Sequence, residues 1–246
     1  MEARDAENDR YIALPGTLNL RDVGGYPVAD GGTVRWRTLL RSDALNRLDD
    51  AGRAVLADLG LRTVIDLRTD SEVEAAPSAL DGTAAQTVRV PLFSAEAIGR
   101  LPPDLAAVYR YMIDDCGAAI AKAIGGLAVP GALPGLVHCT AGKDRTGLVT
   151  ALVLEVIGVP DDVIAADYAL SHSSSLAPDT AKQIGRIQSI SGVGRWLDLG
   201  ALGSPPKVIH TALAHIRAQS GTVANYLFRH GLTTPDLATL RAALTT

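Results

Sequence analysis

A cysteine and an arginine stand close together in one short polar stretch of the sequence. Residues 135–147 read Gly-Leu-Val-His-Cys-Thr-Ala-Gly-Lys-Asp-Arg-Thr-Gly, so five residues separate Cys139 from Arg145. A thiolate is a strong nucleophile, and a guanidinium presents a planar fork that matches two oxygens of a phosphoryl group. The pair therefore predicts attack by Cys139 on a bound oxyanion, with Arg145 holding the anion and stabilising the transition state.

The residues around this pair predict a strand, a tight loop and a helix. Leu136 and Val137 form a short apolar run of strand character, and after Arg145 apolar residues recur on nearly every side, as in a buried helix. A loop at a helix N-terminus can direct successive backbone N–H groups at one anion, where the helix dipole also favours negative charge. We therefore expect an anion cradle that favours the thiolate form of Cys139.

The loop resembles the active-site loop of the cysteine-dependent phosphatases. Residues 138–147, His-Cys-Thr-Ala-Gly-Lys-Asp-Arg-Thr-Gly, are similar to those of the bacterial atypical protein-tyrosine phosphatases, and residues 19–25 and 39–43 also resemble that family. The resemblance implies dual or triple specificity, with phosphotyrosine, phosphoserine, phosphothreonine or phosphoinositide as substrate, and no cofactor. The plain alternative, a buried free cysteine beside an ordinary turn, does not explain ten matching positions.

Further loop residues are expected to shape or bind the phosphoryl group: His138, Thr140, Ala141, Gly142, Lys143 and Thr146. Strand alternation points His138 away from Cys139, so a hydrogen bond that stiffens the loop fits it better than general-base work. The Thr146 hydroxyl can bond the thiolate, and Gly142 allows a backbone angle that a Cβ resists. Inositide phosphatases also carry lysine in this loop, so Lys143 is expected to meet a second phosphate. The alternative is a solvent-facing charge that balances Asp144.

The leaving oxygen needs a proton, and two aspartates are candidates for the general acid. Asp144 is the first choice, because the resembled bacterial group carries Asp at this loop position; its alternative role is to favour the helix N-terminus. Asp66 is the second, because it ends a predicted strand and ligands bind at strand C-termini in open α/β sheets. A salt link from Asp66 to Arg68 or Arg41 is an equally good explanation of that residue.

The chain of 246 residues, 47% of them hydrophobic, is long enough for one large domain or two small ones. The resemblance favours a single phosphatase domain over residues 1–246. The expected fold is α/β, cysteine-phosphatase-like, with a central, mostly parallel sheet flanked by helices and a helical C-terminal portion. Residues 1–13 are expected to be mobile. Residues 171–205 are rich in glycine and proline, which favours a lid slightly over peripheral packing.

Apolar spacing and turn residues predict the other elements. Strands are expected at 33–36, 39–40, 63–68 and 88–92, and helices at 49–59, 104–127, from 160 onward, 206–218, 222–230 and 235–244. Arg21 and Asp22 are expected to form a structural pair. Ser42 or Asp43 is expected to cap a short helix directly after residues 39–43, and Asp49 is expected to open the helix at 49–59.

The composition of the sequence limits the binding partners and the cellular compartment that we expect for this protein. The net charge is −4 without a basic run, which disfavours nucleic acid, and the histidines lack metal-binding spacing. The expected partner is a phosphorylated protein or a phosphoinositide. Two cysteines form no disulfide framework; Cys116 is read as a buried apolar residue, with a redox role toward Cys139 as the lesser alternative. No apolar stretch reaches membrane-spanning length and no signal segment is recognised, so a cytoplasmic protein is expected, with export by another route left open.

Three other functions compete with hydrolysis. A nucleotide-binding loop requires Ser or Thr after Gly-Lys, where this chain has Asp144. A sulfurtransferase also uses a cysteine in an anion-binding loop, but the Arg145-Thr146 pair fits phosphate esters better. An inactive module that binds phosphorylated ligands is the third alternative.

Overall fold

One mixed sheet of five strands organises the chain. The computed structural model describes residues 10–98, 100–101, 104–171 and 203–246. The sheet has the order β1-β2-β5-β3-β4, in which β1 runs antiparallel to β2 and all other neighbours are parallel. The strands are β1 Arg21–Asp22, β2 Leu39–Ser42, β3 Thr63–Asp66, β4 Gln86–Arg89 and β5 Gly135–His138. This sheet confirms the predicted α/β fold, while the segments expected to be a mobile N-terminus and a lid lie largely outside the described residues.

Helices cover both faces of the sheet. They are α1 Asp50–Asp58, α2 Asp70–Ala75, α3 Ala95–Ile98, α4 Leu105–Asp115, α5 Gly117–Ala128, α6 Asp144–Val156, α7 Asp161–Ala169, α8 Pro206–Ser220, α9 Val223–Arg229 and α10 Thr234–Leu244. The predicted helix at 49–59, the helix after 160 and the three closing helices are confirmed. None of the helices in the described ranges is both long and apolar enough to cross a membrane.

Alternate residues of the central strands supply two hydrophobic cores. Ile65 and Val137 belong to the larger core, which α4 to α10 cover. Val64 and Leu136 belong to a smaller core together with Leu56 of α1. Successive strand side chains point to opposite faces, so a short apolar strand serves both cores at once. The central strands β2, β3 and β5 are buried along their whole length, and this holds their C-terminal ends in fixed positions.

The single helix predicted for 104–127 is wrong, because the chain forms two helices that meet at Cys116. Its backbone there, at φ −109° and ψ 14°, ends α4. Gly117 begins α5 under the ring of His230, where a Cβ would lie 2.4 Å from the ring. The close approach of His230 to the backbone therefore coincides with the break, which apolar spacing alone does not reveal.

The segment predicted as a strand at 33–36 forms only isolated bridges. Thr33 bridges Pro27, and Val34 bridges Thr245 near the C-terminus. Arg37, at φ 56°, turns the chain before β2. Thr33 and Val34 each pair with a different part of the chain, so the segment does not form a continuous β-strand. The strand predicted at 88–92 lies two to three residues earlier, at Gln86–Arg89 (β4). The strand predicted at 63–68 ends two residues early, at Asp66 of β3.

Two predicted local interactions near the N-terminal half are also wrong. Arg21 and Asp22 do not pair, because neighbouring strand residues point to opposite faces; the Asp22 carboxylate instead accepts the backbone N–H groups of Gly24 and Arg37. No helix lies between Asp43 and α1, so Ser42 and Asp43 have no helix to cap. The helix α1 is capped by Asp49, which accepts from the backbone N–H of Gly52, as predicted.

Candidate active site

The strand, loop and helix predicted around Cys139 are present. The strand β5 ends at His138, Cys139 follows directly, and α6 begins at Asp144. Nearly every residue of α6 is buried, as its apolar sequence on all sides predicts. The loop therefore joins two buried elements at the C-terminal edge of the sheet, where its position is fixed from both ends.

Hydrogen bonds from the scaffold occupy the carbonyl groups of the loop. The Asn19 side-chain amide donates to the carbonyls of Ala141 (3.2 Å) and Gly142 (3.0 Å). The Arg41 guanidinium donates to the carbonyls of Gly142 (3.0 Å) and Lys143 (3.4 Å). In a planar trans peptide the N–H points opposite to the C=O. The amide N–H groups of these peptides are consequently directed away from the scaffold, toward the side where an anion can bind.

The loop lies directly against the end of β2. Gly142 has φ +66°, and a Cβ there would lie 2.4 Å from the carbonyl oxygen of Ser42, so the predicted need for glycine is confirmed. The Asp43 carboxylate accepts the backbone N–H groups of Leu18 and Asn19, each at 3.0 Å. Asp43 thus fixes the segment from which Asn19 reaches the loop.

A buried ion cluster holds Arg41 in place. The Asp167 carboxylate of α7 pairs with Arg41 at 2.6 Å and with Arg21 of β1 at 3.2 Å, and it accepts the Tyr26 hydroxyl at 3.1 Å. Burial alone would raise the pKa of Asp167, but the two guanidinium groups outweigh burial and lower the pKa to about 2. Asp167 therefore stays ionised at neutral pH and anchors both arginines behind the loop.

Arg145 is fixed by a two-pronged ion pair with Glu72. Its Nη1 and Nη2 atoms lie 2.7 Å from Oε2 and Oε1 of Glu72. The Thr140 hydroxyl also donates to this carboxylate, and the guanidinium lies 5.7 Å from the centroid of the Phe93 ring. Burial would raise the pKa of Glu72, yet Arg145 outweighs it and brings the pKa to about 2. The guanidinium plane is thereby set before any substrate binds.

Glu72 is a site residue that sequence reasoning missed. It forms a capping box with Thr69 at the start of α2, and the Thr-x-x-Glu spacing of that box is visible in the sequence. The spacing indicates a helix start. It does not indicate that the carboxylate also meets an arginine 73 positions later in the chain.

His138 and Asp66 lie together beneath the loop, at the paired ends of β5 and β3. His138 Nδ1 lies 3.2 Å from the Cys139 carbonyl oxygen, and burial lowers the pKa of this histidine to about 4. Asp66 binds Arg68 through both oxygens, at 2.9 and 2.7 Å. Burial would raise the pKa of Asp66, but His138 and Arg68 outweigh burial and lower it to about 2. Asp66 therefore forms the Arg68 salt link considered above, whereas Arg41 pairs elsewhere.

Asp144, the first residue of α6, lies within the loop itself. Its Oδ1 atom accepts the hydroxyls of Tyr109 (3.3 Å) and Tyr168 (3.2 Å), and its Oδ2 atom lies 3.9 Å from Lys143 Nζ. The Asp144 side chain is 12% exposed, whereas that of Asp66 is 2% exposed. Of the two candidate acids, Asp144 is thus the one that keeps some access to a bound substrate.

Residues 12–246 match the family model for the tyrosine phosphatase family. This chain belongs to that family.

Curated relatives agree with this assignment. The triple specificity protein phosphatase PtpB of Mycobacterium tuberculosis is 32% identical over 277 aligned positions, covering 94% of this chain and 98% of the relative. A provisionally named tyrosine-protein phosphatase of Cupriavidus necator is 30% identical and covers 92% of this chain and 85% of the relative. Among solved structures, TpbA of P. aeruginosa matches 64% of this chain and 84% of its own at 19% identity, with a TM-score of only 0.34.

Two further side chains of the phosphatase, those of Lys143 and Thr146, are buried in and directly after the loop. The Lys143 side chain is only 1% exposed, so it does not face solvent, although its Nζ lies 3.9 Å from Asp144 Oδ2, as the charge-balancing alternative expected. The Thr146 hydroxyl is buried and makes no hydrogen bond to any described residue, so the expected bond to the Cys139 thiol is not formed in this state. Both groups are therefore held inside the protein beside the loop.

Cys116 is buried at the junction of α4 and α5, as predicted. Burial raises the pKa of its thiol to about 11. A thiol with so high a pKa is a poor nucleophile and a poor redox partner at neutral pH. Cys116 therefore acts as a small core residue of this phosphatase.

We expect Glu72→Gln to weaken both the fold and the enzyme, because it leaves the buried Arg145 without its counter-charge. The free energy of unfolding should fall by about 3–5 kcal/mol. Turnover of an aryl phosphate should fall at least about tenfold, because the guanidinium loses its fixed orientation. Urea unfolding and steady-state kinetics measure the two effects.

Glu74→Gln is the matched control, since Glu74 lies exposed on the same short helix. It should change stability by no more than about 0.5 kcal/mol. Equal behaviour of the two variants would show that the pair with Glu72 has no role in positioning Arg145.

Proposed function

We propose that this phosphatase hydrolyses phosphate monoesters through a cysteinyl-phosphate intermediate. The observation that supports the proposal is the geometry of the loop after β5. Asn19 and Arg41 donate hydrogen bonds to its carbonyl groups, and Glu72 fixes the guanidinium of Arg145. Backbone N–H groups and a fixed guanidinium are the donors that a transferring phosphoryl group needs. Cys139, at the base of this loop, is the nucleophile.

The reaction proceeds in two balanced steps. The Cys139 thiolate attacks phosphorus, and as the sulfur–phosphorus bond forms, the ester bond breaks and its electron pair stays on the leaving oxygen. That oxygen takes the proton of the Asp144 carboxyl group. Water then attacks phosphorus, gives a proton back to Asp144 and displaces the thiolate, which yields inorganic phosphate.

The remaining loop residues have supporting roles in this proposal. Thr140, Ala141, Gly142 and Lys143 supply backbone N–H groups or charge to the phosphoryl oxygens. His138 holds the Cys139 carbonyl, which keeps the base of the loop rigid. The buried, unpaired hydroxyl of Thr146 becomes a donor to the thiolate when the loop binds its anion and the second step proceeds.

We infer the substrate class from the charge of the loop and from the relatives. Phosphotyrosine is the main substrate in this proposal, with phosphoserine, phosphothreonine and phosphoinositides as further substrates. The name of one relative, a triple specificity protein phosphatase, supports a range wider than phosphotyrosine. The buried ammonium of Lys143 supplies a second cation for a substrate that carries two phosphates. A reducing compartment such as the cytoplasm suits the free thiol.

We expect Cys139→Ser to abolish hydrolysis of a generic aryl phosphate while phosphate and vanadate still bind. Loss of the nucleophile should lower kcat by at least about a thousandfold. Cys116→Ser is the control and should retain turnover, because that thiol takes no part in the chemistry. Wild-type turnover in Cys139→Ser would exclude this nucleophile.

Two results from the wild-type protein would contradict the proposed hydrolysis and support one of the alternative functions. Tight binding of phosphotyrosine peptides without any phosphate release would indicate a recognition module. Release of thiocyanate from thiosulfate and cyanide, without phosphatase activity, would indicate a sulfurtransferase.

The general acid is tested with two leaving groups. Asp144→Asn should lower kcat/KM for phenyl phosphate by about 10²–10⁴-fold and affect dinitrophenyl phosphate far less, because the better leaving group needs no proton. Asp66→Asn should change both substrates by the same factor, since Asp66 acts through the scaffold. If the substrate dependence appears in Asp66→Asn instead, the two roles are reversed.

We expect Lys143→Gln to lower kcat/KM for a phosphoinositide bisphosphate at least about tenfold relative to a phosphotyrosine peptide. The ratio of the two substrates is measured in one preparation, so a loss of folded protein cancels. Lys122→Gln, at an exposed position on α5, is the control and should leave the ratio unchanged. An unchanged ratio in Lys143→Gln would contradict a second-phosphate site.

A further inference from the structure

Two buried tyrosines converge on one oxygen of Asp144. Tyr109 reaches it from α4 and Tyr168 from α7, and both hydroxyls lie within 3.3 Å of Oδ1. Their rings meet edge to face, with centroids 6.2 Å apart and planes at 85°. The two tyrosines are 2% and 1% exposed, so the core fixes both rings. Such an arrangement gives a loop carboxylate two rigid donors from two separate helices.

The backbone of α6 is packed against the same pair. A Cβ at Gly147 would lie 2.7 Å from the Tyr168 ring, so the ring touches the helix one turn after Asp144. Glycine at this position allows the ring to approach closely enough for its hydroxyl to reach Asp144. The Tyr109 hydroxyl also lies 3.5 Å from the Asp144 carbonyl oxygen, so it contacts both the side chain and the main chain of Asp144.

We propose that Tyr109 and Tyr168 are positioning residues that hold Asp144 with Oδ2 as the oxygen that carries the transferable proton. The inference rests on the proposed function, in which Asp144 is the general acid. A protonated carboxyl group keeps one oxygen as an acceptor and uses the other to donate. Because both tyrosines donate to Oδ1, the proton resides on Oδ2 and passes from there to the leaving oxygen as the ester bond breaks.

The hydroxyls of the two tyrosines remain protonated, and so remain donors, near neutral pH. Burial raises the pKa of both hydroxyls well above 10, so neither ionises near neutral pH. Among the described residues, the charged groups around Asp144 are Lys143, whose Nζ lies 3.9 Å from Oδ2, and Arg41, which is close to both tyrosines and is paired with Asp167. Lys143 stands on the Oδ2 side, opposite the pair of hydroxyls.

The test removes only the hydroxyl groups. Tyr109→Phe, Tyr168→Phe and the double variant keep the rings and their packing. Tyr226→Phe is the matched control: Tyr226 is 1% exposed and its hydroxyl donates to the Ile113 carbonyl of α4 at 2.8 Å, away from Asp144. Thermal unfolding shows how much stability each buried hydroxyl contributes.

We expect the double variant to lose about tenfold in kcat/KM for phenyl phosphate and less than about twofold for dinitrophenyl phosphate. Tyr226→Phe should leave the ratio of the two substrates unchanged. A double variant whose substrate ratio matches that of Tyr226→Phe overturns the inference.

The Asp144→Asn background separates this inference from the proposed function. Suppose that Asp144→Asn lowers kcat/KM far more for phenyl phosphate than for dinitrophenyl phosphate. Adding Tyr109→Phe and Tyr168→Phe to that variant should then leave the ratio of the two substrates unchanged, because the carboxyl group that the tyrosines position is already lost. A further change in that ratio would mean that the tyrosines act on another group, which overturns the inference alone. If Asp144→Asn shows no dependence on the leaving group, the acid assignment fails first, and the inference that rests on it fails with it.

Discussion

An anion-binding loop of this kind requires hydrogen-bond donors for its own backbone carbonyl groups. The peptides between Cys139 and Arg145 can turn their N–H groups toward a phosphoryl group only if their oxygens find donors on the opposite side. Asn19 and Arg41 are those donors for the carbonyls of Ala141 and Gly142, and Asp167 holds Arg41 in position. Without them the loop would leave buried carbonyls unpaired, at a cost of about 1–3 kcal/mol for each group. The scaffold that binds the carbonyls is therefore as necessary to the site as the residues that touch substrate.

The buried charges near the loop are matched in pairs. Arg21 and Arg41 share Asp167, Arg145 binds Glu72, and Arg68 binds Asp66. A buried charge without a partner is costly, and a pair with good geometry also fixes the orientation of both groups. Burial would raise the pKa values of these carboxylates, but the arginines, together with His138 beside Asp66, outweigh burial and lower them to about 2. The carboxylates are therefore charged at neutral pH. Asp144 differs from them because tyrosine hydroxyls, and not arginines, hold its Oδ1 atom.

Local sequence predicted the local parts of this site and missed the long-range ones. The strand, the loop, the glycine at 142 and the buried helix α6 all follow from residues that are neighbours in the chain. Glu72 reaches Arg145, and Asp167 reaches the arginine behind the loop, from other elements of the fold, so spacing does not indicate either contact. The same limit explains the helix break at Cys116, which coincides with a contact from His230. The fold class was predictable because apolar strands alternate with helices, whereas the exact ends of β3 and β4 depend on pairing partners.

Direct capture of the covalent intermediate tests the central claim. In Asp144→Asn the return of water is slowed, so an aryl phosphate with a good leaving group should load the enzyme faster than it is released. Rapid acid quenching followed by mass spectrometry of the peptide that contains Cys139 should then find a phosphoryl group on that sulfur. A phosphoryl group on any other residue, or none during active turnover, would contradict a cysteinyl-phosphate mechanism.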